Sequence, residues 1–540
     1  MDFMGLPHVA KAAILLTIVF VAYQAYVQLT VGRRRRALQR EKGTLPAPWH
    51  FELRDRIMGL DDFLANIKAL KEHRYLARGQ ARFENQDVRT MHTISLGRYA
   101  SHPPTRHSPK LTYERHVIST IEPENLKTIQ AVDFKKWTLG SRRISAFRPL
   151  LGQGIFTTAG ADWHRSREML RPNFARSQVG DLATFETHVQ HLIDAVPKDG
   201  SEFNLSELFF RLTMDSATEF LLGESTESLT QDSEDGFADA FTRSQTYIAN
   251  MARWGIWSKL FPTNQQWLKD KKFVHDFVDY YVRKGLARRS ELLQEQSNAE
   301  KPAGARYVFI DELVRQTADP IRIRSELLNV LLAGRDTTAS LLTNAWFMLS
   351  KRPDIWSRLQ AEVSTLHGER PSFDQLKDMK YLKAFLNETQ RLYPVLPVNS
   401  RQAVEDTTLP LGGGKDGLAP VFVPKGWTAA WSVWAMHRRK DYFGEDAEEF
   451  RPERWLDDPE TGKKGLRPGW EFLPFNGGPR ICLGQQFAIN EASYTTVRLC
   501  QAFEKIESRD PGPWVEALTL TAVNLNGAKV VLTARDARTN

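Results

Sequence analysis

Cys482 lies in Phe475-Asn476-Gly477-Gly478-Pro479-Arg480-Ile481-Cys482-Leu483-Gly484, ten residues holding three glycines and a proline. Such a composition builds a tight loop rather than regular structure. The helix predicted from about Gln485 directs its free N–H groups and positive dipole end at Cys482, and both effects favour the thiolate over the thiol. A thiolate is the form that attacks electrophiles or ligates a soft metal. Gly484 permits close approach of a flat ligand, and Arg480 can pair with an anionic group on it. Taken alone, the stretch reads equally as a structural turn, since a lone cysteine is commonly just a small buried apolar residue. Cys500 is the only other cysteine. If the segment between them is helical, the two stand roughly 27 Å apart, far beyond disulfide reach. So sparse a supply excludes a disulfide scaffold and fits a reducing compartment.

Three further groupings carry unusual spacing. Ala333-Gly334-Arg335-Asp336-Thr337-Thr338 interrupts the apolar helix predicted from Leu327 to Leu349. Glycine there costs about 1 kcal/mol and threonine loses rotamers, and helix interiors that break propensity rules are suspects for function. Gly334 would make room for a ligand, and Thr337 can bond a carbonyl one turn back and bend the helix. A kinked buried helix with two satisfied hydroxyls is the plainer alternative. Glu388 and Arg391 are three apart on the helix predicted from Tyr381 to Leu392, so their side chains can meet. On an exposed helix such a pair is worth little. Phe450-Arg451-Pro452-Glu453-Arg454-Trp455 follows downstream. Trp163 and Arg167 share one helix face in Trp163-His164-Arg165-Ser166-Arg167, where packing plus a surface charge is the ordinary explanation.

Taken together, W-x-x-x-R at 163–167, A-G-x-D-T-T at 333–338, E-x-x-R at 388–391 and F-x-x-G-x-R-x-C-x-G at 475–484 closely resemble the cytochrome P-450 superfamily of haem-thiolate monooxygenases. The resemblance implies a haem b whose axial ligand is Cys482. It makes Trp163, Arg167 and Arg480 contacts to the haem propionates, with Phe475, Gly478 and Gly484 completing the cofactor loop. Asp336 and Thr337 resemble the pair that guides protons during oxygen activation, work for which a polar route is needed. Glu388, Arg391 and Arg454 would form a buried network supporting the loop. The chain carries no Rossmann fingerprint and no flavin region, so the resemblance implies electrons from NADPH through a separate flavoprotein reductase docking near Cys482.

Phe210 to Phe220, Leu409 to Gly417 and Phe472 to Leu499 resemble the fungal microsomal alkane and fatty-acid hydroxylase branch in particular. That implies insertion of one oxygen atom from O2 into a long-chain substrate, at its terminal (omega) carbon. Leu331, Leu332, Leu396, Pro397, Val398 and Leu525 occupy the regions that contact substrate in that family and are apolar, although buried residues generally are. Ala333 stands where some animal omega-hydroxylases carry a glutamate that tethers haem, so a non-covalent haem is expected. Three alternatives stay open: the same oxidation of another hydrophobic compound, a secondary metabolite or xenobiotic; a haem-thiolate isomerase; and a haem carrier.

These residues need a large, mostly helical body to hold them. Helical patterns predominate (161–175, 203–222, 270–295, 311–350, 355–367, 380–392, 483–503), with strand-like runs at 92–97, 114–119, 420–423, 427–432 and 528–533. The expected fold is mainly α with a minor β subdomain. Because the motifs interlock from residue 163 to 482, residues 51–540 are expected to form one domain. Gly412-Gly413-Gly414-Lys415 lacks the spacing of a phosphate loop and reads as a turn. Ahead of the body, residues 12–31 are uncharged and long enough to span a bilayer. Arg33-Arg34-Arg35-Arg36 follows, whereas the amino-terminal flank has only Asp2, Lys11 and the free amine. The positive-inside rule then makes residues 1–11 a lumenal tail and the body cytoplasmic, as for a single-pass endoplasmic reticulum anchor. Residues 32–50 form a basic, proline-bearing linker. The net charge of +8 suits anionic lipid or an acidic protein partner, and no nucleic-acid module is recognisable. Trp254, Trp257, Phe261 and Trp267, interleaved with Arg253, Lys259 and Lys269, read either as a surface that dips into a bilayer interface or as scattered core aromatics.

Overall fold

A computed structural model describes residues 7–50, 60–96, 114–174, 182–231, 236–254, 264–297 and 307–535. Secondary structure is predominantly helical with small sheets, as the sequence patterns predict. The chain divides into two compact units, Met1–Asn66 with Arg82–Trp137 and Arg401–Ala430, and Ile67–Ala81 with Thr138–Ser400 and Trp431–Asn540. All the chemistry-bearing motifs fall in the second.

In the first unit the apolar run His8–Val27 continues through a π turn, Gln28–Gly32, into Arg33–Glu41, together α1. Its apolar part is almost wholly exposed and long enough to cross a membrane. The Thr30 hydroxyl donates to the Tyr26 carbonyl at 2.7 Å beside the π turn. A five-stranded sheet has the order β1-β2-β7-β4-β3, where β1 is Thr90–Leu96, β2 Glu114–Thr120, β3 Trp137–Thr138, β4 Val398–Ala403 and β7 Thr428–Ser432. Between them β5 (Thr407–Gly413) and β6 (Ala419–Val423) form a hairpin, so Gly412 and Gly413 end a strand rather than lying in a turn, which begins at Gly414 with φ +79°. The proline-bearing segment is not a free spacer. Leu45 N–H donates to the Pro420 carbonyl (2.9 Å), Gly414 N–H to that of Pro46 (3.1 Å), and His92 N–H to that of Pro48 (2.7 Å). Proline can sit there because its missing donor is not required on an added edge.

The second unit holds α2 (Ser141–Leu151), α3 (Gly160–Leu170), α4 (Leu205–Leu222), α5 (Phe237–Trp254), α6 (Pro320–Ser350), α7 (Lys380–Leu392) and α8 (Gln485–Ala502). Helix α6 is apolar around most of its circumference and runs through the core, with Trp346, Leu342 and Ala345 fully buried. The single helix expected over 311–350 is in fact two. The first ends at Gln316, and Asp319 caps α6 by accepting from the N–H groups of Ile321 (3.0 Å) and Arg322 (3.1 Å). Pro320 at the first helical position needs no partner for an N–H it lacks. Of the two readings for the 254–267 aromatics, Trp267 follows the core one: it is buried and stacks on Tyr247 at 4.5 Å. Trp257, Lys259 and Phe261 lie outside the described residues.

Candidate active site

The cysteine loop is closed by its own backbone. Cys482 N–H donates to the Phe475 carbonyl and Ile481 N–H to that of Gly478, both at 3.0 Å. Asn476 at φ +59° and Gly478 at φ +64° make the tight reversal, a conformation for which glycine and asparagine are suited. Helix α8 begins at Gln485 and its first turn faces Cys482. Cys482 is accessible, yet protein surrounds it on most sides, as for a side chain lining an internal space. Burial pushes its thiol up, while the Gly484 N–H and the Arg167 charge act downward and do not win. The downward pull expected at the helix start is thus present and is opposed by desolvation, a setting in which a bound metal cation is what would deprotonate the sulfur.

Helix α3 presents its two predicted residues to this loop. Arg167 donates from Nη1 to the Ile481 carbonyl at 3.0 Å. Arg480 lies over the Trp163 ring at 4.3 Å and donates from Nη2 to the Thr158 carbonyl at 3.2 Å. Arg143 of α2 joins them. Burial, then the charges of Arg143 and Arg167, pull the Arg480 guanidinium down to about 9. Burial pulls Arg143 to about 10 and leaves its Nε without a partner. Among the described residues, none of the three forms an ion pair with a carboxylate. This is an uncompensated cationic pocket beside a cysteine.

On α6 the Thr337 hydroxyl donates to the Ala333 carbonyl at 2.6 Å, the back-bond expected from the sequence. Asp336 is buried and receives Arg335 Nη1 at 3.0 Å. Burial pushes the Asp336 carboxyl up against the opposing pull of Arg335 and Gln245. A Cβ at Gly334 would lie 3.7 Å from the Ala217 Cβ of α4, an ordinary contact, so packing against that helix does not by itself require glycine. Of the apolar residues expected to touch substrate, Leu331 is buried in the core, whereas Leu396, Val398 and Leu525 are exposed. No hydrogen bond joins α6 to the cysteine loop among the described residues.

The predicted triad forms completely. Fully buried Glu388 receives Arg391 through two bonds of 2.8 Å, Arg454 Nε at 2.8 Å and Trp455 Nε1 at 2.9 Å. Burial acts upward on the Glu388 carboxyl, but Arg391 and Arg454 outweigh it and hold it below its ordinary value. Sequence reasoning missed how this triad reaches the loop. His437, fully buried, lies 3.2 Å from the Arg391 carbonyl through Nδ1 and accepts Leu473 N–H on Nε2 at 3.0 Å. The second bond makes Nε2 the acceptor, so the proton sits on Nδ1. Leu473 stands two residues before Phe475. Burial first, then Arg391, depress His437 to about 3. A histidine among arginines (His437-Arg438-Arg439) gives no local hint of this role.

Residues 124–524 match the cytochrome P-450 family profile. The chain belongs to that family. A cytochrome P-450 monooxygenase of Aspergillus japonicus, himC, is 44% identical over 89% of this chain and 82% of its own length. Cytochrome P-450 52A5 of Candida maltosa is 48% identical over 77% of this chain and 81% of its own. A Fusarium heterosporum cytochrome P-450 monooxygenase, fsdH, is 46% identical over 76% and 73%. The protein is accordingly a monooxygenase, and the family's cofactor is a haem held by a cysteine thiolate. The residues present fit that group. Three guanidiniums without carboxylate partners suit its two propionates, and a single accessible cysteine at a helix start suits its iron.

Two residues that face this machinery were not legible beforehand. Arg143 reads as surface charge in Ser141-Arg142-Arg143. Glu491 of α8 is buried, accepts from the Ser216 hydroxyl of α4, and meets Thr338 of α6. Burial pushes it to about 8 despite those two hydroxyls, so at neutral pH it is an uncharged acid bonded to α4 through Ser216. Its position nine residues after the cysteine was the available signal.

Proposed function

We propose that this monooxygenase hydroxylates the terminal carbon of a long-chain alkane or fatty acid at the endoplasmic reticulum membrane. The observation that carries the chemistry is the Thr337 hydroxyl bonded back to Ala333 beside buried Asp336. The overall reaction takes substrate, O2, NADPH and a proton to alcohol, water and NADP+. Bound to Cys482, the haem supplies oxygen activation, which the electron-rich thiolate promotes. Arg143, Arg167 and Arg480 bind its propionates, and Trp163 stacks beneath Arg480. Glu388, Arg391, Arg454 and His437 keep the cysteine loop in place. Asp336 and Thr337 pass protons, the hydroxyl being held at one position by its bond to Ala333. Exposed Leu396, Val398 and Leu525 offer an apolar surface to the chain. Electrons come from NADPH through a flavoprotein reductase docking by the cysteine loop. Helix α1 spans the bilayer once, with the body cytoplasmic on the side of Arg33 to Arg36.

Support for the substrate class is the similarity to the 52A proteins of Candida maltosa together with the stretches that resemble the fungal alkane and fatty-acid branch. A second reading keeps the chemistry and changes the substrate to another hydrophobic compound. It is favoured by the Aspergillus japonicus and Fusarium mangiferae monooxygenases, which align over 89% and 93% of this chain. Reconstitution with a reductase and NADPH, followed by product analysis over a chain-length series of alkanes and fatty acids, separates them. Terminal alcohols appearing with length dependence support the proposal. No spectral shift and no product with any chain length refutes the substrate class.

A further inference from the structure

The first unit contains a cavity of about 570 Å³ at the foot of α1. Its floor is aromatic and apolar, with Trp49, Phe422 and Trp427, and its wall is the last turn of the apolar helix, with Val27 and Val31. Arg36 lines its rim and also lines an adjoining recess of about 540 Å³ that includes Arg40. We propose that this cavity binds one anionic phospholipid of the cytoplasmic leaflet, with headgroup on Arg36 and Arg40 and upper chain on the aromatic floor. The proposal rests on the membrane-anchor reading of α1.

Three observations carry it. First, the charges are available. Arg35 is consumed by two bonds of 2.9 Å to Asp406, which clamp α1 to the body of its unit. Arg36 and Arg40 form no ion pair with a carboxylate among the described residues, and both are exposed. Second, the cavity lies at headgroup depth, because the uncharged run ends at Val31 and the first arginine is Arg33. Cations just cytoplasmic of a span attract anionic lipid. Third, the walls are fixed. The segment from Leu45 to His50 is hydrogen-bonded to the sheet, including His50 N–H to the His92 carbonyl at 2.9 Å. Trp49 packs against His92 with ring centroids 3.6 Å apart, and Trp427 stacks on His116 at 4.4 Å. The volume lies within the usual range for small-ligand pockets, roughly 300–1,000 Å³. It accommodates a headgroup and the start of a chain while the remainder stays in the bilayer.

The full-length protein is reconstituted into nanodiscs of phosphatidylcholine with one phosphatidylserine in five, transferred to mild detergent, and its retained lipids are counted by native mass spectrometry. The wild type is expected to keep one phosphatidylserine. Arg36→Glu with Arg40→Glu lowers that retention about tenfold, and Val31→Trp, which fills the cavity, does the same. Arg33→Glu with Arg34→Glu, outside the cavity, leaves it. Equal loss in both charge-reversed pairs would mean a diffuse basic patch and overturn the site. So would retention of phosphatidylcholine or a free fatty acid in its place, or no retained lipid. Carbonate extraction of the same protein from vesicles tests the anchor separately. Release from the vesicles defeats the anchor reading, whereas a membrane-embedded protein without selective lipid defeats only the cavity.

Discussion

Arg167 donates a 3.0 Å hydrogen bond to the carbonyl of Ile481, the residue immediately before Cys482, across 314 positions of sequence. A hydrogen bond from a charged donor is worth about 1.5–3 kcal/mol. The same guanidinium contributes to the cationic pocket, so one side chain both pins the loop and prepares its electrostatics.

Arg167→Ala should therefore lower haem occupancy about tenfold at limiting haem, and Arg167→Lys should recover only part of it, because lysine lacks the planar fork. The haem-to-protein ratio after purification reports this. An unchanged ratio in both variants would remove Arg167 from the cofactor site.

Glu388→Gln leaves Arg391 and Arg454 buried against a neutral amide. Breaking one partner of a buried ion pair costs about 3–5 kcal/mol, a large share of a domain's stability. The variant is expected to yield little folded, haem-bearing protein. Circular dichroism and the haem spectrum of the soluble fraction decide it; wild-type recovery would show that the triad is dispensable.

Thr337→Ala removes the hydroxyl beside Asp336 without touching the cysteine loop. NADPH consumption should continue while product falls about a hundredfold and hydrogen peroxide rises, the scale lost when a positioned proton donor is removed. Thr337→Ser should restore coupling. Full coupling in the alanine variant would take proton delivery away from this residue.

His437 and Glu491 predict opposite pH trends. The folded state holds His437 at about 3, below its ordinary 6.5. The unfolded chain therefore binds the extra proton first, and this contribution is complete above 6.5 and lost as pH falls toward 3. Glu491 is raised from 4.5 to about 8. Its contribution is complete below 4.5 and lost as pH rises to 8, because only the unfolded chain ionises there. Glu491→Gln should flatten the alkaline decline, and His437→Gln the acid one, in urea midpoints measured across pH. Parallel profiles for wild type and variants would contradict the assigned protonation states.

Cys482→Ala should abolish the thiolate–carbon monoxide spectrum, while Cys500→Ala, a change in the buried core, should preserve it at a modest stability cost. Retention of the spectrum by Cys482→Ala would dismantle the site.

Much of this protein was legible in its residues. Periodicity located the long helices, including Leu205–Leu222 and Lys380–Leu392. Motif spacing singled out Cys482, Glu388 and Arg391, because glycines in a loop and charges on one helix face are local patterns, whereas Arg454 was implied by the family resemblance. The break at Pro320 was local too, but the apolar period on both sides masked it. What only the tertiary structure decided is whatever depends on residues distant in sequence. Arg143 and Glu491 are ordinary charges until packing buries them, and His437 acquires its role only between Arg391 and Leu473. The proline-bearing segment after α1 proved to be fastened to a sheet. At Cys482 desolvation opposes the pull of the helix start. In each case desolvation and long-range contact set the outcome, and neither is a property of a residue's neighbours in the chain.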